Sequence, residues 1–474
     1  MKKKVFISGI TGVMGIASLE NLLGFKGEVD IISIVRDSKK NRRIMEEYED
    51  SIKIIWGDLT KYSDVKKALE GVDYIIHVAA LVSPKADYEP EKAWKVNVGS
   101  VENILKAVEE LELNNVKLVY IGSVSQTGDR LPPLHWGRVG DPMFPSVYDN
   151  YAVTKIAAER KIIESGLRYW VSLRQTGILH YGLLEERDAI IYHQSLDNVL
   201  EWITEEDSGR LVRNLILKDL PKKFWKNIYN IGGGESTRIN NYDFMSKMLG
   251  TVGVDNIEEI YEPYWFAFKN FHGQYYLDSD ILDGYLDFRR ESVDDFLIRL
   301  GENIGYPVKL MKILPNFFIK NFIMKPIVQG EYGSMSWIKN EDEGKIKAFW
   351  GSLEEWEKIK TWDDLKLKDD LSKPIRLDHG YDEGKDEGRL DIIDIKKAAE
   401  FRGGKCLSPF MVEGDMDTKL EWECAFGHKF KASPRLVLKA GHWCEECEAP
   451  PWNYEEIAKN NPFFNQVFMN KNGK

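Results

Sequence analysis

Positions 1–180 of the sequence predict an α/β fold built on a doubly wound parallel sheet. Short Val- and Ile-rich runs alternate there with segments whose apolar residues recur at three- and four-residue spacing. Near-continuous apolar strands separated by helices are typical of parallel sheets that are covered on both faces. The predicted strands are 4–9, 30–36, 52–57, 72–80, 116–123 and 169–175. Ligands on such sheets bind at the carboxyl ends of the strands, so the residues that follow each run are the candidates for a site.

The composition limits the classes of function. The chain has 474 residues, of which 43% are hydrophobic, and a formal net charge of -11. An acidic chain makes nucleic acid an unlikely partner for the surface as a whole, although one local basic patch stays open. The first apolar run is broken by Ser8, Gly9, Thr11 and Gly12, which fits no signal peptide, and no run approaches the ~18 apolar residues that span a bilayer. We therefore expect a cytoplasmic protein without a membrane segment, whose partners are small molecules.

Three glycines, Gly9, Gly12 and Gly15, lie directly after the first predicted strand and open a helical segment. Glycines in such a turn let backbone N–H groups approach a pyrophosphate, and the helix N-terminus behind them adds a positive dipole end. The spacing G-x-x-G-x-x-G differs from the commoner G-x-G-x-x-G, and three glycines can also simply form a turn. Their place at the start of an alternating pattern predicts dinucleotide binding, with Thr11 in the same turn.

The end of the second predicted strand indicates which dinucleotide is bound. Arg36 lies there, and an arginine can pair with the 2′-phosphate of NADP, whereas an acidic residue binds the ribose 2′-hydroxyl of NAD. Arg36 therefore favours NADP, and Asp37 keeps NAD open because predicted boundaries shift by about two residues. A solvated surface charge is the other interpretation of Arg36. Asp58, after the third strand, is placed to reach an adenine amino group or to cap a helix.

Tyr151 and Lys155 lie one helical turn apart at the start of a predicted helix. A tyrosine with its usual pKa of about 10 is a weak acid at neutral pH. A lysine on the same helix face would stabilise the tyrosinate and lower that pKa, so that Tyr151 donates a proton near neutral pH. Ser123, at the end of the fifth strand, is placed to hold the substrate oxygen. A Tyr-x-x-x-Lys pair by itself is weak evidence, so the prediction rests on the order of the motifs along the chain.

In that order the sequence resembles the extended (atypical) short-chain dehydrogenase/reductases, the NAD-dependent epimerase/dehydratase-like family. The resemblance covers about residues 1–300. It rests on the glycine turn, Asp58, "HVAA" at 77–80, Asn97, Ser123, Tyr151 with Lys155, and "YNIGGGE" at 229–235. It implies a Rossmann-type fold with a smaller, mostly helical substrate lobe. It also implies a homodimer through two helices, the one before the fifth strand and the one that carries Tyr151.

The resemblance assigns roles to individual residues. It implies Tyr151 as proton donor and acceptor, Ser123 as holder of the carbonyl oxygen, and Lys155 as partner of the nicotinamide ribose. Arg174 resembles the arginine that usually follows the sixth strand. The cofactor-binding residues carried over are Gly9, Thr11, Gly12, Gly15, Arg36, Asp58, Ala79, Ala80, Asn97 and Lys155.

Departures from the family pattern narrow the chemistry. Val124 and Ser125 follow Ser123, where sugar-nucleotide dehydratases usually carry an Asp-Glu pair, which disfavours a dehydratase of that kind. We expect an NAD(P)-dependent oxidoreductase that reduces a carbonyl of a small molecule, with NADP as cofactor and NAD as the alternative. A redox-neutral sugar-nucleotide epimerase stays open, because the same three side chains serve oxidation followed by re-reduction.

All four cysteines lie near the end of the chain, between positions 406 and 447. Cys424 and His428 form C-x3-H, and Cys444 and Cys447 form C-x2-C; two such pairs, separated here by 429–443, are typical of a tetrahedral structural zinc site. Cys406 competes with His428 for the fourth position, and the "GH" before an aromatic residue favours the histidine. The segment resembles small treble-clef or zinc-ribbon modules. Its basic edge is interpreted as a solvated face rather than a nucleic-acid contact.

The predictions divide the chain into a dinucleotide-binding domain (1–175), a substrate-binding lobe with some elements of that domain interleaved (176–372), a linker (373–388) and a zinc-binding module (389–474). Candidates for the substrate pocket are Trp265, Phe268, Phe271 and His272, although large aromatics also serve to pack such a lobe onto a sheet. A nucleotide-sensing binding protein that docks a partner through the zinc module is the alternative from another class. A sensor needs no proton donor, so the Ser-Tyr-Lys set favours the enzyme.

Overall fold

The computed structural model describes residues 2–184, 188–305, 313–367, 373–448, 450 and 452–471. The predicted boundaries at 372 and 474 lie outside these residues. The strands are β1 (Lys3–Ser8), β2 (Val29–Val35), β3 (Lys53–Trp56), β4 (Tyr74–His77), β5 (Lys117–Ser123), β6 (Trp136–Gly137), β7 (Tyr169–Gln175), β8 (Ile178–Leu179), β9 (Val199–Glu201), β10 (Ile203–Thr204), β11 (Asn227–Ile231), β12 (Arg238–Asn240), β13 (Tyr275–Tyr276), β14 (Lys405–Cys406), β15 (Leu420–Glu423) and β16 (Lys429–Ala432).

The helices alternate with the strands in the first half and dominate the lobe. They are α1 (Val13–Leu23), α2 (Lys39–Met45), α3 (Tyr62–Ala68), α4 (Lys85–Tyr88), α5 (Pro90–Asn97), α6 (Gly99–Glu110), α7 (Asn150–Ile163), α8 (Glu205–Leu217), α9 (Asn241–Gly250), α10 (Ser279–Leu286) and α11 (Val293–Asn303). After these, α12 (Asn316–Phe318) continues through a π-helical segment (Ile319–Met324) into α13 (Lys325–Val328). The remaining helices are α14 (Ser334–Lys339), α15 (Glu343–Trp350), α16 (Leu353–Glu357), α17 (Ile392–Phe401), α18 (Glu445–Glu448), α19 (Tyr454–Asn460) and α20 (Pro462–Lys471).

Seven parallel strands form the main sheet in the order β3-β2-β1-β4-β5-β7-β11. The predicted doubly wound, Rossmann-type sheet is confirmed. Its last strand, β11, comes from the region assigned to the lobe, so the lobe is interleaved with the sheet domain. The predicted strand 72–80 is shorter, because the chain leaves the sheet after His77 and its backbone binds side chains of neighbouring elements.

Apolar clusters cover both faces of this sheet. Side chains of α1, α8 and α10 pack on one face, and those of α3, α6 and α7 pack on the other. The second cluster continues without interruption into the C-terminal residues, including Leu390, Trp422, Leu436 and Trp443. The C-terminal part therefore shares a hydrophobic core with the sheet domain, on the side of α7.

The lobe has its own cores, formed mainly by α9, the residues around 257–268, α12 to α15 and their neighbours. The C-terminal module consists of α17 and a small antiparallel sheet in the order β14-β15-β16. Within the described parts of the chain, no helix is both long and apolar enough to cross a membrane.

The segment predicted as a linker contacts the sheet domain closely. The side chain of His379 is buried, and its Nε2 lies 3.0 Å from Asp141 Oδ1. Arg138 donates a hydrogen bond of 2.7 Å to Glu383. This segment thus joins the C-terminal module to the loop between β6 and α7 through buried ion pairs.

Candidate active site

The glycine turn between β1 and α1 has the geometry of an anion cradle. Gly9 has φ +71°, and a Cβ there would lie 2.8 Å from the backbone of Ala79. A Cβ at Gly15 would lie 2.2 Å from the carbonyl oxygen of Gly9, so both positions require glycine. Gly12 begins α1 without a side-chain cap, which leaves the first N–H groups of the helix open to a ligand. Thr11 lies half-buried in the same turn.

The loop after β4 is held against this turn. Ser8 Oγ accepts the N–H groups of Val78 and Ala79 at 3.1 Å each. The Asn97 side chain binds both backbone groups of Leu81 and donates 2.8 Å to Thr154 Oγ1 on α7. The amide of Asn97, expected at the cofactor, thus ties the loop containing Ala79 and Ala80 to the helix that carries Tyr151.

At the end of β2, Arg36 is the first residue after the strand, and it is exposed. The neighbouring carboxylate of Asp37 accepts two hydrogen bonds from Arg42, at 2.6 and 2.8 Å. The Arg42 guanidinium also lies 4.5 Å from the centre of the Trp56 ring. Asp37, the acidic candidate for the ribose contact, is therefore already paired with Arg42. The guanidinium groups of Arg36 and Arg42 lie near the same edge of the sheet.

Asp58, after β3, caps a turn rather than a helix. Its Oδ1 accepts the N–H of Thr60 at 2.9 Å, and its own N–H donates to Asp64. Helix α3 begins later, with Lys61 at the N-cap position. The helix-cap interpretation of Asp58 is thus replaced by a local turn, and its contact with an adenine amino group stays a prediction.

Ser123 and Tyr151 come together at the carboxyl edge of the sheet. Ser123 ends β5 and forms a capping box with Gln126 at the start of a short 3-10 turn. Asp149 caps α7 by accepting the N–H of Ala152, which fixes the first turn of the helix. The Ser123 hydroxyl lies close enough to the Tyr151 phenol to influence its pKa, and it accepts a hydrogen bond of 2.9 Å from Ser125 Oγ. The predicted proton donor and the predicted oxygen holder are therefore neighbours.

The pKa values of this pair of helix residues differ from the sequence-based expectation. Burial raises the pKa of Tyr151 to about 12, and the nearby Ser123 hydroxyl opposes that rise. Burial also lowers the pKa of Lys155 to about 7. The Lys155 ammonium donates to the carbonyl of Ile121 and lies 4.4 Å from the centre of the Tyr120 ring. We expected Lys155 to acidify Tyr151; in this structure the lysine turns towards β5 instead.

A buried carboxylate that the sequence reasoning missed lies one helical turn after Lys155. Glu159 accepts hydrogen bonds from Arg174 at 2.7 Å, Gln126 at 2.9 Å and Ser172 at 2.5 Å. His442 of the C-terminal module approaches the same carboxylate to 2.9 Å. Burial favours the neutral acid, but Arg174 and His442 outweigh it and hold the pKa of Glu159 well below its usual value. The four-residue spacing from Lys155 was the signal available in the sequence.

An open cleft of about 100 Å³ lies beside the start of α7. Its lining combines rings with charged groups, including Asp87, Tyr88, Asp149, Phe271, His272 and Lys345. Asp87 accepts the backbone N–H of Tyr151 at 3.2 Å. Burial and the nearby Asp149 raise the pKa of Asp87 to about 7. Of the four predicted pocket residues, Phe271 and His272 line this cleft.

The other two predicted pocket residues lie elsewhere. Trp265 is buried in the core of the lobe, and Phe268 lines a larger cavity of about 460 Å³ between 195–197, 263–268 and 355–367. Among the described residues that line the larger cavity, none belongs to the predicted catalytic, cofactor or metal sets. The cleft beside α7 is the better candidate for a substrate, because Asp87 in its lining binds the backbone of Tyr151.

The C-terminal module brings together Cys424, His428, Cys444 and Cys447, whose ligand atoms all lie within 4.8 Å of one another. The Sγ atoms of Cys424 and Cys447 are 3.8 Å apart, and His428 Nδ1 is 3.5 Å from the Sγ atoms of Cys444 and Cys447. A tetrahedral zinc ion with its usual bond lengths requires separations of about 3.8 Å between sulfurs and about 3.5 Å between sulfur and nitrogen. Cys406 lies on β14 and is not part of the group.

Comparisons with known proteins agree with this geometry. Residues 5–206 match the model of the NAD dependent epimerase/dehydratase family. The UDP-glucose 4-epimerase of Rickettsia canadensis (strain McKiel) is 33% identical over 114 residues, which are 22% of this chain and 32% of that protein. That of Rickettsia prowazekii (strain Madrid E) is 35% identical over 112 residues, with the same coverage. The chain thus spans about a third of the length of these relatives.

Two solved structures share the fold. The dTDP-glucose 4,6-dehydratase DesIV double mutant from Streptomyces venezuelae, with NAD and DAU bound, has a TM-score of 0.51 and 18% identity. It covers 63% of this chain and 95% of that one. The dTDP-glucose 4,6-dehydratase (rfbB) from Bacillus anthracis str. Ames, in complex with NAD, has a TM-score of 0.50 and 15% identity, covering 63% and 96%. The family match over residues 5–206 agrees with the resemblance seen in the sequence, and the two solved structures agree with the fold.

Proposed function

We propose that the sheet domain and lobe form a nicotinamide-dependent oxidoreductase that acts on a carbonyl or alcohol group of a small molecule. The observation that carries this proposal is the approach of the Ser123 and Tyr151 side chains to each other at the carboxyl edge of the sheet. Lys155 lies one turn along the same helix. The glycine turn follows β1, which pairs with β4 in the same sheet. Proton exchange, oxygen binding and cofactor binding are thereby gathered at one edge.

The glycine turn fits a dinucleotide. Only glycine fits at Gly9 and Gly15, so a pyrophosphate can approach the backbone there, with the uncapped start of α1 behind it. We propose NADP as the cofactor, because Arg36 and Arg42 lie at the edge where a 2′-phosphate would bind and Asp37 is already paired. NAD remains the alternative, and two proteins of the same fold were solved with NAD. The bound nicotinamide would supply the hydride or accept it.

The protein's own residues handle the proton. In the reducing direction, Tyr151 donates its phenolic proton to the substrate oxygen, which Ser123 holds by a hydrogen bond. A phenol whose pKa is about 12 is fully protonated at neutral pH, and it needs a nearby positive charge to bring proton donation within reach. Lys155 lies close enough along the helix to stabilise the tyrosinate that remains, provided that its side chain moves away from the Ile121 carbonyl.

The cleft beside α7 would receive the rest of the substrate. Its aromatic rings offer flat apolar surfaces, whereas Asp87, Asp149 and Lys345 offer hydrogen bonds to hydroxyl groups. Asp87 touches the backbone of Tyr151, so a substrate group bound there lies within reach of the reacting oxygen. These features support a polyhydroxylated or ring-containing substrate.

A redox-neutral epimerase is the second candidate. The observation that favours it is the match to proteins named UDP-glucose 4-epimerase over about a quarter of this chain. The residues after Ser123, Val124 and Ser125, still disfavour a dehydratase with an adjacent acid–base pair. An epimerase would retain its cofactor through turnover and show no net change in nicotinamide absorbance.

We also propose a structural zinc ion at Cys424, His428, Cys444 and Cys447. The separations between their ligand atoms fit a tetrahedral ion, and all four positions are filled by the protein, which leaves none for substrate. Zinc would therefore stabilise the module rather than take part in the reaction.

The homodimer implied by the resemblance uses α7, but the module of the same chain occupies part of this helix. Arg160 donates to the Trp443 carbonyl at 2.9 Å, and Glu164 accepts from Ser433 at 2.7 Å. We infer that a second copy cannot use this face of α7, and that any dimer forms elsewhere. Light scattering coupled to size-exclusion chromatography tests the mass in solution.

The test of the proposed function combines cofactor titration with a substrate panel. Purified protein is titrated with NADPH and NADH by nicotinamide fluorescence and then assayed with aldehydes, ketones and nucleotide sugars. Tyr151→Phe should lower kcat by about 10³-fold, within the range for a general acid, and leave cofactor affinity unchanged. Tyr62→Phe, in the first turn of α3 as Tyr151 is in that of α7, is the matched control. Turnover that survives in Tyr151→Phe would refute the proposal.

A further inference from the structure

The C-terminal module inserts a loop into the sheet domain beside the candidate active site. Gly441 has φ +79°, and a Cβ there would lie 2.0 Å from the carbonyl oxygen of Asp141. The loop therefore lies directly on the backbone before α7, and only glycine allows this approach. The next residue, His442, is fully buried. A histidine from the last tenth of the chain thus sits inside the Rossmann-type domain.

His442 and its neighbour bind the buried charges of that domain. His442 Nε2 lies 2.9 Å from Glu159 Oε2, and since a carboxylate only accepts, the imidazole donates. The Ala440 carbonyl accepts 2.7 Å from Arg174, the same guanidinium that pairs with Glu159. The module therefore supplies a hydrogen-bond partner to both Arg174 and Glu159.

Hydrogen bonds of Gln126 connect Glu159 to Ser123. Gln126 Nε2 donates 2.9 Å to Glu159 Oε2, the oxygen that His442 also binds. Gln126 Oε1 accepts the backbone N–H of Ser123 at 2.8 Å. A Cβ at Gly122 would lie 2.6 Å from this oxygen, so the glycine before Ser123 makes room for the amide. Three hydrogen bonds connect the module to the serine.

We propose that the C-terminal module completes the active site, with His442 as a positioning residue that fixes Ser123 through Glu159 and Gln126. This inference rests on the proposed function only for the role of Ser123. Buried chains of hydrogen bonds hold a unique geometry when every member is paired. Without His442, one acceptor position of Glu159 opens to water, Gln126 gains freedom, and the oxygen-holding hydroxyl loses its fixed place.

The experiment compares His442→Ala, His442→Gln and Ser433→Ala with the wild type. Ser433→Ala is the matched control, because it removes a module contact at the far end of α7, on Glu164. The first readout is hydrogen exchange at the Ser123 amide, and the second is kcat with the best carbonyl substrate of the panel above. Fluorescence titration with NADPH checks that the cofactor still binds.

We expect His442→Ala to speed exchange at Ser123 and to lower kcat about tenfold, as for misplacement of a reacting group, with the NADPH Kd within about twofold. His442→Gln should restore both readouts, because its side-chain amide can donate to Glu159. Ser433→Ala should leave both unchanged. If His442→Ala fails to fold, Gln126→Met breaks the same chain of bonds with the module still docked.

Exchange and kcat at the wild-type values in His442→Ala would overturn the inference. An equal loss of kcat in Ser433→Ala would overturn it too, because the effect would then come from docking of the module as a whole rather than from His442. The failure of the proposed function is a separate result, since Tyr151→Phe would then retain turnover. In that case exchange at Ser123 still decides whether His442 positions this residue.

Discussion

The two ends of α7 lie in different surroundings. At its first turn, Tyr151 lies near the Ser123 hydroxyl and Lys155 donates to a backbone carbonyl, and burial displaces their pKa values to about 12 and about 7. Two turns further on, Glu159 is enclosed by Arg174, His442 and neutral donors, and its pKa is held well below its usual value. The first environment disfavours charge, and the second stabilises it.

This difference separates groups that exchange protons from groups that hold the structure. Burial brings the pKa of Lys155 to about 7, so that this side chain changes its protonation state at low cost near neutral pH, which suits the partner of a proton donor. A fully paired carboxylate keeps its charge over the whole working range of pH and fixes what it binds. Under the proposed function, one helix thus carries the proton-exchanging groups in its first turns and a structural anchor further along.

Loss of the metal should have the largest effect, because it acts on the whole anchored end. We expect Cys444→Ser to lose zinc and to destabilise the module by several kcal/mol, below the about 10–16 kcal/mol with which small modules bind zinc. The sheet domain should still bind the dinucleotide. Metal analysis and hydrogen exchange over 405–448 measure this, with Cys406→Ser as control. Purified protein that carries no metal and is unaffected by Cys444→Ser would exclude the zinc site.

Breaking the buried ion pair between Arg174 and Glu159 should have the next largest effect on the free energy of unfolding. Arg174→Met leaves Glu159 without its counter-ion, and such a change typically costs about 3–5 kcal/mol. The double variant Arg174→Met with Glu159→Leu should recover part of this loss. Arg42→Met, which removes the partner of exposed Asp37, should change the free energy of unfolding by less than about 1 kcal/mol. Urea unfolding compares these variants; equal costs at the two arginines would contradict the contrast.

The sequence predicts the features that depend on local spacing. The glycines of the first turn, the alternation that gives the sheet, and the C-x3-H and C-x2-C pairs each involve neighbours in the sequence, so elementary geometry fixes what they can do. The order of the strands then brings Ser123 beside Tyr151, because β5 ends where α7 begins its first turn. The predicted sheet and the grouping of the four Cys and His side chains agree with the structure, and the roles of the glycine turn, Ser123 and Tyr151 stay predictions.

The sequence does not predict the network around Glu159. Its donors come from positions 126, 172, 174 and 442, and a glutamate within a helix usually indicates a solvated face. The direction of Lys155 was missed for a related reason. The four-residue spacing brings it to the face of Tyr151, but the Ile121 carbonyl and the Tyr120 ring come from β5, which is distant in the sequence.

The pH dependence of turnover tests the roles proposed for Tyr151 and Lys155 in the first turns of α7. With a pKa of about 7, Lys155 is charged below pH 7 and neutral above it. If the charged form stabilises the tyrosinate, kcat/KM should fall about tenfold per pH unit above pH 7, since this parameter reports the free enzyme. In Lys155→Arg the guanidinium stays protonated, so that limb should move to higher pH.

The pH dependence of the free energy of unfolding gives a control for the pKa of Lys155. The unfolded lysine, with a pKa of about 10.4, binds more protons than the folded one between pH 7 and pH 10, so stability should rise with pH in that window. Lys155→Met should lack this rise. A wild-type stability that is flat from pH 7 to pH 10 would show that the amine is not buried as described.

The choice of cofactor should give the smallest effect, because it involves exposed charges. Arg36→Ser should raise the Kd of NADPH about tenfold, equivalent to about 1.4 kcal/mol, and leave that of NADH unchanged. Arg43→Ser, also exposed and on α2, is the control for loss of a positive charge nearby. If the wild type instead binds NADH more tightly and Asp37→Asn weakens that binding, the carboxylate releases Arg42 to bind the ribose. The two bonds of 2.6 and 2.8 Å between Asp37 and Arg42 argue against this outcome, since both would have to break for a single ribose contact.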